Sequence, residues 1–409
     1  MTRIPRRTFR SSLVAVAAVG VLVATAQPAL ALTSTPDPIW RTKNTDRGFA
    51  LAQVGSTVFL GGKLTKVYDA SGVFVRNASG VIAIDAATGA VTSFDPQIAK
   101  ATGVPEVRAL AVSADGSVLY IGGKFDTVGG QPHKNFAAVD TTTGTVLSSV
   151  SLTVSSPVKA ILVGDDRIYF GGDFKRVNGK PRSYLAAMLP DGSLDPDWRP
   201  AAGDGGSGVG VSIHSLEYAI DHATIFVGGL FRTMNSETRM AVARVTPDTG
   251  ALDPWAIPSG VIDTGNQNWD LVATATRLFG GFGNGPNYAL AVRLDNGNTG
   301  SQVWKFNTVG NVQGLALRPG GSQIFAAGHF GTGSLQQTVC GNQNLRGLML
   351  LSTATGSLDC TWLPQIVPFG NNFHGAWPLL IANGTQLWAG TKSTTISGVV
   401  ASGFARFTL

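Results

Sequence analysis

Seven times along this chain an apolar pair is followed by a pair of small residues, usually Gly-Gly, and that recurrence constrains the architecture more than any other feature. The phrase reads Phe59-Leu60-Gly61-Gly62, Tyr120-Ile121-Gly122-Gly123, Tyr169-Phe170-Gly171-Gly172, Phe226-Val227-Gly228-Gly229 and Leu278-Phe279-Gly280-Gly281. It then decays to Phe325-Ala326-Ala327-Gly328 and Leu387-Trp388-Ala389-Gly390. The first and last copies set a period of about 55 residues, near that of propeller repeats and above that of helical ones.

What surrounds the phrase is equally regular. An apolar run such as Val107 to Val112 precedes it across a polar turn (Asp115-Gly116), which makes a hairpin. A third run such as Phe136 to Asp140 follows, then a Thr-Gly or Asp-Gly turn (Thr143-Gly144, Asp191-Gly192, Thr249-Gly250) and a fourth run ending near Asp-Pro or Trp. Four short strands per unit describe one antiparallel blade, with no sustained helical pattern. The expected fold is therefore an all-β, seven-bladed β-propeller of four-stranded blades, forming a single domain over residues 32–409. The fourth segment recurs as Leu194-Asp195-Pro196-Asp197-Trp198, Leu252-Asp253-Pro254-Trp255 and Leu358-Asp359-Cys360-Thr361-Trp362, but the last unit ends at Leu409 without it. Asp37-Pro38-Ile39-Trp40-Arg41 matches the missing piece, so the N-terminal segment is expected to complete the last blade and close the circle.

The copy from Ile168 through Asn178-Gly179 to Asp191-Gly192-Ser193-Leu194-Asp195 resembles the bacterial secreted propeller repeat called the delta-60 repeat. The likeness covers nearly all of residues 32–409, most closely in units two to four, and it implies a propeller while supplying no catalytic residues. A looser likeness to kelch blades brings in galactose-oxidase-type enzymes as distant analogues. Fold analogy alone does not establish function.

Residues 1–31 read as a removable export signal: Arg3, Arg6, Arg7 and Arg10 precede the apolar stretch Leu13 to Ala26, and Ala29-Leu30-Ala31 fits a cleavage site. Arg6-Arg7-Thr8-Phe9 also suits the twin-arginine route, and the general secretory route stays open beside it. The expected location is extracellular or in the cell envelope. Four of the 31 basic residues and none of the 25 acidic ones fall in this stretch, leaving the rest at +2 with no basic run suited to nucleic acid. No later segment is long and apolar enough for a membrane helix, and a monomer is expected. Cys340 and Cys360 lie in one unit, and in an exported protein they read as a disulfide pinning the loop Gly331 to Leu345, with two free thiols as the alternative.

Aligning the units on Gly-Gly brings Arg108, Lys159, His214, Asp270, Gln313 and His374 to one position before the first strand's apolar run, with Phe49 as the seventh. These six polar residues are candidates for holding a polar ligand, a glycan or a peptide segment, at the mouth of a central channel. The competing reading is that they merely solvate a wet pore. Trp269 and Trp377 flank first strands and are candidates for stacking on a ligand, whereas Trp198, Trp255, Trp304 and Trp362 recur in the fourth segment and read as packing between blades. There is no nucleophile elbow, zinc-helix or phosphate-loop motif, and no second carboxylate accompanies Asp270 in the aligned position. Asp263 to Asn268 has oxygen ligands but neither the spacing nor the terminal Glu of a calcium loop, so a turn is expected, and no metal or cofactor is called for. The sequence favours a non-catalytic binding or scaffold module for an extracellular glycan or protein, with an extracellular carbohydrate-active hydrolase or lyase as the alternative.

Overall fold

The computed structural model describes residues 32–208, 210–331, 337–369 and 375–409. The expected export signal, His374 and residues 332–336 of the Cys340 loop lie outside them. Among the described residues there is no helix. The units fold as sheets built to one plan, in which a first strand hairpins into a second and a third returns to pair with the second. The first strands are Arg47–Val54, Glu106–Val112, Val158–Val163, Ser212–Tyr218, Gln267–Ala273, Val312–Leu317 and Ala376–Ala382. The Gly-Gly phrase lies on the second strand, as in Val118–Lys124, and the third run forms strands such as Phe136–Asp140. Between second and third strands, short ribbons such as Arg176–Val177 with Lys180–Pro181 form around Asn178-Gly179.

The glycine pair answers two steric demands of the second strand. A Cβ on Gly122 would meet Val158 Cγ1 of the following sheet at 2.6 Å, and one on Gly123 would meet the Glu106 carbonyl oxygen of its own first strand at 2.1 Å. Neither neighbour is the free end of a long side chain, so only glycine allows both approaches. The turn after the third strand needs glycine differently: Gly144 has φ 75°, and Asp140 Oδ1 accepts from the Thr143 amide at 2.7 Å to close the turn.

The fourth run departs from expectation. Among the described residues only the fifth unit forms a long strand from it, Gln302–Thr308, giving a four-stranded sheet. In five others it makes one isolated bridge to the third strand, such as Met188↔Leu194 or Val245↔Leu252. In the third unit the cause is local chemistry. Asp195 donates its amide to Ala187 O, but its Oδ1 then accepts from the amides of Asp197 and Trp198. A carboxylate that captures the next backbone donors, beside a proline that has none, ends the ladder after one bridge.

Asp37 makes the same contact at the chain's other end. Its amide donates to Arg406 O at 2.8 Å, as Asp253 does to Arg244 O, and its Oδ2 accepts from Arg406 Nε at 2.7 Å, as Asp253 Oδ1 does from Arg244 Nε at 2.8 Å. Arg41 and Thr42 then pair with Tyr68 and Val67 of the first unit. Apolar side chains pack between consecutive sheets, as where Val158, Ile168 and Phe170 meet Phe136 and Ala138. Trp388 and Phe404 of the seventh sheet likewise pack with Val58, Leu60 and Ile82 of the first. Trp198, Trp255, Trp304 and Trp362 are all buried in these layers. Cys340 and Cys360 are joined by a disulfide with Cα atoms 5.8 Å apart. Closing a 20-residue segment this way disfavours the unfolded chain by about 3 kcal/mol in the chain-entropy account.

Candidate functional site

Each first strand carries a β-bulge at one level. Pairing with the second strand skips Phe49, Arg108, Lys159, His214, Trp269 and Gln313, and in the seventh sheet both Trp377 and Pro378. A bulge frees one residue from the ladder and re-aims its side chain. All of these residues line one cavity of about 260 Å³, together with Asp270 and Glu217. The expected set is thus brought together for Arg108, Lys159, His214, Asp270 and Gln313, while His374 lies outside the described residues.

Two positions differ from the alignment. In the fifth sheet Trp269, not Asp270, is the bulged residue, and in the seventh Trp377 occupies that place. The second sheet pairs Ala109 with Gly122 and Val107 with Gly123, whereas the fifth pairs Asp270 with Gly281 and Asn268 with Phe282. The Gly-Gly phrase of the fifth unit is therefore displaced by one residue, and alignment on it mistook the residue after the bulge for the bulge. Trp269 and Trp377 therefore stand at the bulge of their sheets, the level that Arg108, Lys159 and His214 occupy in theirs. Each already has one ring contact: His214 lies 4.6 Å from Trp269, and the Arg47 guanidinium sits 4.7 Å over Trp377.

The cations of the cavity are mostly engaged. Lys159 Nζ reaches Asp173 at 2.8 Å and donates to Ser212 Oγ at 3.0 Å, and Arg108 pairs with Glu106 at 2.7 Å. Burial, with Lys159 and Arg108 nearby, holds the His214 imidazole well below its ordinary pKa, hence neutral. Gln313 Oε1 lies 2.9 Å from His329 Nδ1. Asp270 bridges two strands, accepting from its neighbour Leu271 N at 2.9 Å and from Leu315 N of the sixth sheet at 2.8 Å.

Glu217 was missed by sequence reasoning. It stands three residues beyond the bulge, where other first strands carry Ala52, Ala111, Leu162, Val272 and Ala316, and it accepts from Ala273 N of the fifth sheet at 3.4 Å. A lone acid in an otherwise apolar column was the available signal. Burial pushes both carboxyls up to about 7, and Asp270 adds its charge to the effect on Glu217. Since both unfolded values lie near 4, the folded state binds the extra protons between about pH 4 and 7. Their stabilising contribution is full below pH 4 and is lost as pH rises through 7. Thermal unfolding between pH 5 and 8 is expected to show a melting temperature that falls with pH, and the doubly neutral variant Asp270→Asn/Glu217→Gln should flatten that slope. An unchanged slope would show that these carboxyls are ionised throughout.

Among the described residues no group of three or more His, Cys, Asp or Glu is arranged to hold a metal ion, and no helix is long and apolar enough to cross a membrane. Residues 164–197 and 224–254 match a family described as a domain of unknown function (DUF5122) beta-propeller. No curated protein matches the chain. Among solved structures, the extracellular domain of a putative hybrid two component system from B. thetaiotaomicron is similar in fold, with TM-score 0.55 and 13% identity over 91% of this chain. The chain spans 39% of that protein's length. A computationally designed protein aligns at TM-score 0.47 and 14% identity, over 89% of this chain and 97% of its own, too distant to support an argument. The family match and the repeated sheets together describe an all-β chain of β-propeller type.

Proposed function

We propose that residues 32–409 form a seven-bladed propeller of the delta-60 kind, closed by the segment around Asp37, and that it is an exported binding module taking a polar ligand at the mouth of its central channel. One observation carries this reading. The first strands of all seven units deliver a bulged side chain to a single cavity, and a pore that needed only wetting would not need the same backbone irregularity each time. The similar extracellular domain in a two component system supports a recognition role outside the cell. Arg108, Lys159, His214, Asp270 and Gln313 supply donors and acceptors, and Trp269 and Trp377 supply apolar edges, a combination suited to a glycan or a peptide segment.

Asp270 and Glu217 favour a second reading, because two carboxyls lining one cavity with pKa values near neutrality are the equipment of a glycoside-cleaving enzyme. A glycan array combined with a turnover screen separates the two. Retention of a glycan that weakens in His214→Ala or Asp270→Asn, with no product released, is the expected result. Product release abolished by Asp270→Asn or Glu217→Gln would replace the binder with a hydrolase or lyase, and ligands indifferent to all three changes would remove the site altogether.

A further inference from the structure

Beside the first and second sheets lies another cavity of about 420 Å³, into which Lys43, Arg47, Lys63, Arg108 and Lys392 face against only two carboxylates. Both carboxylates are committed. Asp46 accepts from Thr65 N and Oγ1, each at 2.7 Å, and from Lys66 N at 3.3 Å, while Glu106 is held by Arg108. Among the described residues the side-chain charges of Arg47, Lys63 and Lys392 have no hydrogen-bonded or ion-paired partner within direct contact, and the Glu106 carboxylate that Arg108 holds is the acid that also attracts Arg47 and Lys63. Burial lowers the pKa of Arg47 and of Lys392; Arg108 adds to the effect on Arg47, and Arg47 and Lys63 add to that on Lys392. Such crowding of like charge is relieved by an anion.

The arginines are also positioned in advance. The Arg47 guanidinium lies 4.7 Å over Trp377 and 5.6 Å over Phe49, and Arg108 lies 4.7 Å over the same phenyl ring. A guanidinium held on aromatic faces has lost its rotamer freedom before binding and presents a planar fork to an oxyanion. Arg47 and Trp377 further line an adjoining cavity of about 480 Å³ whose wall carries Asn284, Asn287, Asn311 and Gln313. Amides beside an indole suit hydroxyl groups, so a cationic end and a hydroxyl-binding end share one boundary.

We infer that this mouth takes an acidic polysaccharide, with a carboxylate or sulfate of the sugar chain in the Arg47–Lys63–Lys392 cavity and its hydroxyls along the neighbouring amide wall. The inference rests on the reading of the mouth as a ligand site and names its ligand class. The small net charge outside the first 31 residues speaks against nucleic acid as the source of the anion.

Calorimetric titration of the purified protein with hexagalacturonate, cellohexaose, dextran sulfate oligomers and inorganic sulfate tests it. Hexagalacturonate or the sulfated oligomer should bind at least about tenfold more tightly than cellohexaose, and weaken with salt. Lys63→Gln/Lys392→Gln, which leaves the stacked arginines in place, should cost about tenfold for the acidic oligomers only, with an unchanged unfolding transition as the folding control. Arg47→Lys keeps the charge but loses the fork, and should also weaken binding. Equal affinity for cellohexaose, no binding of any acidic oligomer, indifference to the lysine pair, or inorganic sulfate binding as tightly as the oligomers would each overturn the inference. A glycan that depends on His214 and Asp270 but not on the lysines would leave the proposed function standing without it. Acidic oligomers that need the lysines yet ignore His214→Ala and Asp270→Asn would do the reverse.

Discussion

A protein lacking residues 1–42 is expected to be less stable than one lacking only residues 1–31 by about 5 kcal/mol. Several losses combine. The Ile39 side chain, buried among Trp388, Phe404 and Val58, forfeits about 2 kcal/mol of apolar burial. Trp362 Nε1 loses the Thr33 carbonyl it meets at 2.9 Å, and a buried donor left unpaired costs about 1–3 kcal/mol. Arg406, 12% exposed at its side chain, loses Asp37 although it keeps the Ala86 carbonyl at 2.8 Å. Ser397 Oγ loses Ser34 O, and Thr42, itself buried, no longer donates to Ser402 O. Urea unfolding followed by tryptophan fluorescence reads the difference directly. A midpoint and slope matching those of the longer protein would mean that the segment is an appendage and that closure of the ring by residues 32–42 is wrong. Asp37→Asn in the longer protein should cost much less, because it weakens one partly exposed pair and leaves Ile39 in place.

The repeated plan of the sheets was legible because its causes are local. Gly-Gly marks a double close approach, Thr-Gly or Asp-Gly marks a positive-φ turn, and each leaves similar letters in most units. The outer segment was legible as a packing element but not in its hydrogen bonding. Asp195 and Asp253 look like strand residues in the repeat, and only the geometry reveals their carboxylates taking the amides that a fourth strand would have used. The candidate site was legible to within one residue in the first six units and three residues early in the seventh, where the alignment took His374 and the bulge lies at Trp377 and Pro378. Where the bulge keeps register with Gly-Gly, as at Arg108, Lys159 and His214, the alignment found it; in the fifth unit the register moved and Asp270 displaced Trp269. Glu217 lay beyond reach for a different reason. Its function would arise from facing Asp270 across two strands 53 residues apart, and a repeat alignment compares equivalent positions rather than neighbouring ones.

The buried tryptophans of the outer segment supply the second large effect. Trp198→Ala is expected to lower stability by about 3–5 kcal/mol, the range for removing a large aromatic side chain from a packed core. The indole is fully buried, its centroid lies 4.9 Å from that of Tyr169, and Nε1 donates to Thr246 O of the following unit at 3.2 Å. It therefore joins two sheets by packing and by a hydrogen bond at once. Trp255 occupies the equivalent place, equally buried against Phe226, but its Nε1 has no partner among the described residues. The two sites thus separate the contributions. Trp198→Phe removes both indole area and a satisfied donor, leaving Thr246 O with the Gly250 amide as its donor, whereas Trp255→Phe removes area and relieves an unsatisfied N–H. Trp198→Phe should be the more costly by about 1 kcal/mol, although the alanine variants should resemble each other more closely. Chemical denaturation of the four variants decides it. If Trp255→Phe proved the more costly of the two, packing shape alone would govern these positions and the link from Trp198 to Thr246 would contribute nothing to holding neighbouring sheets together.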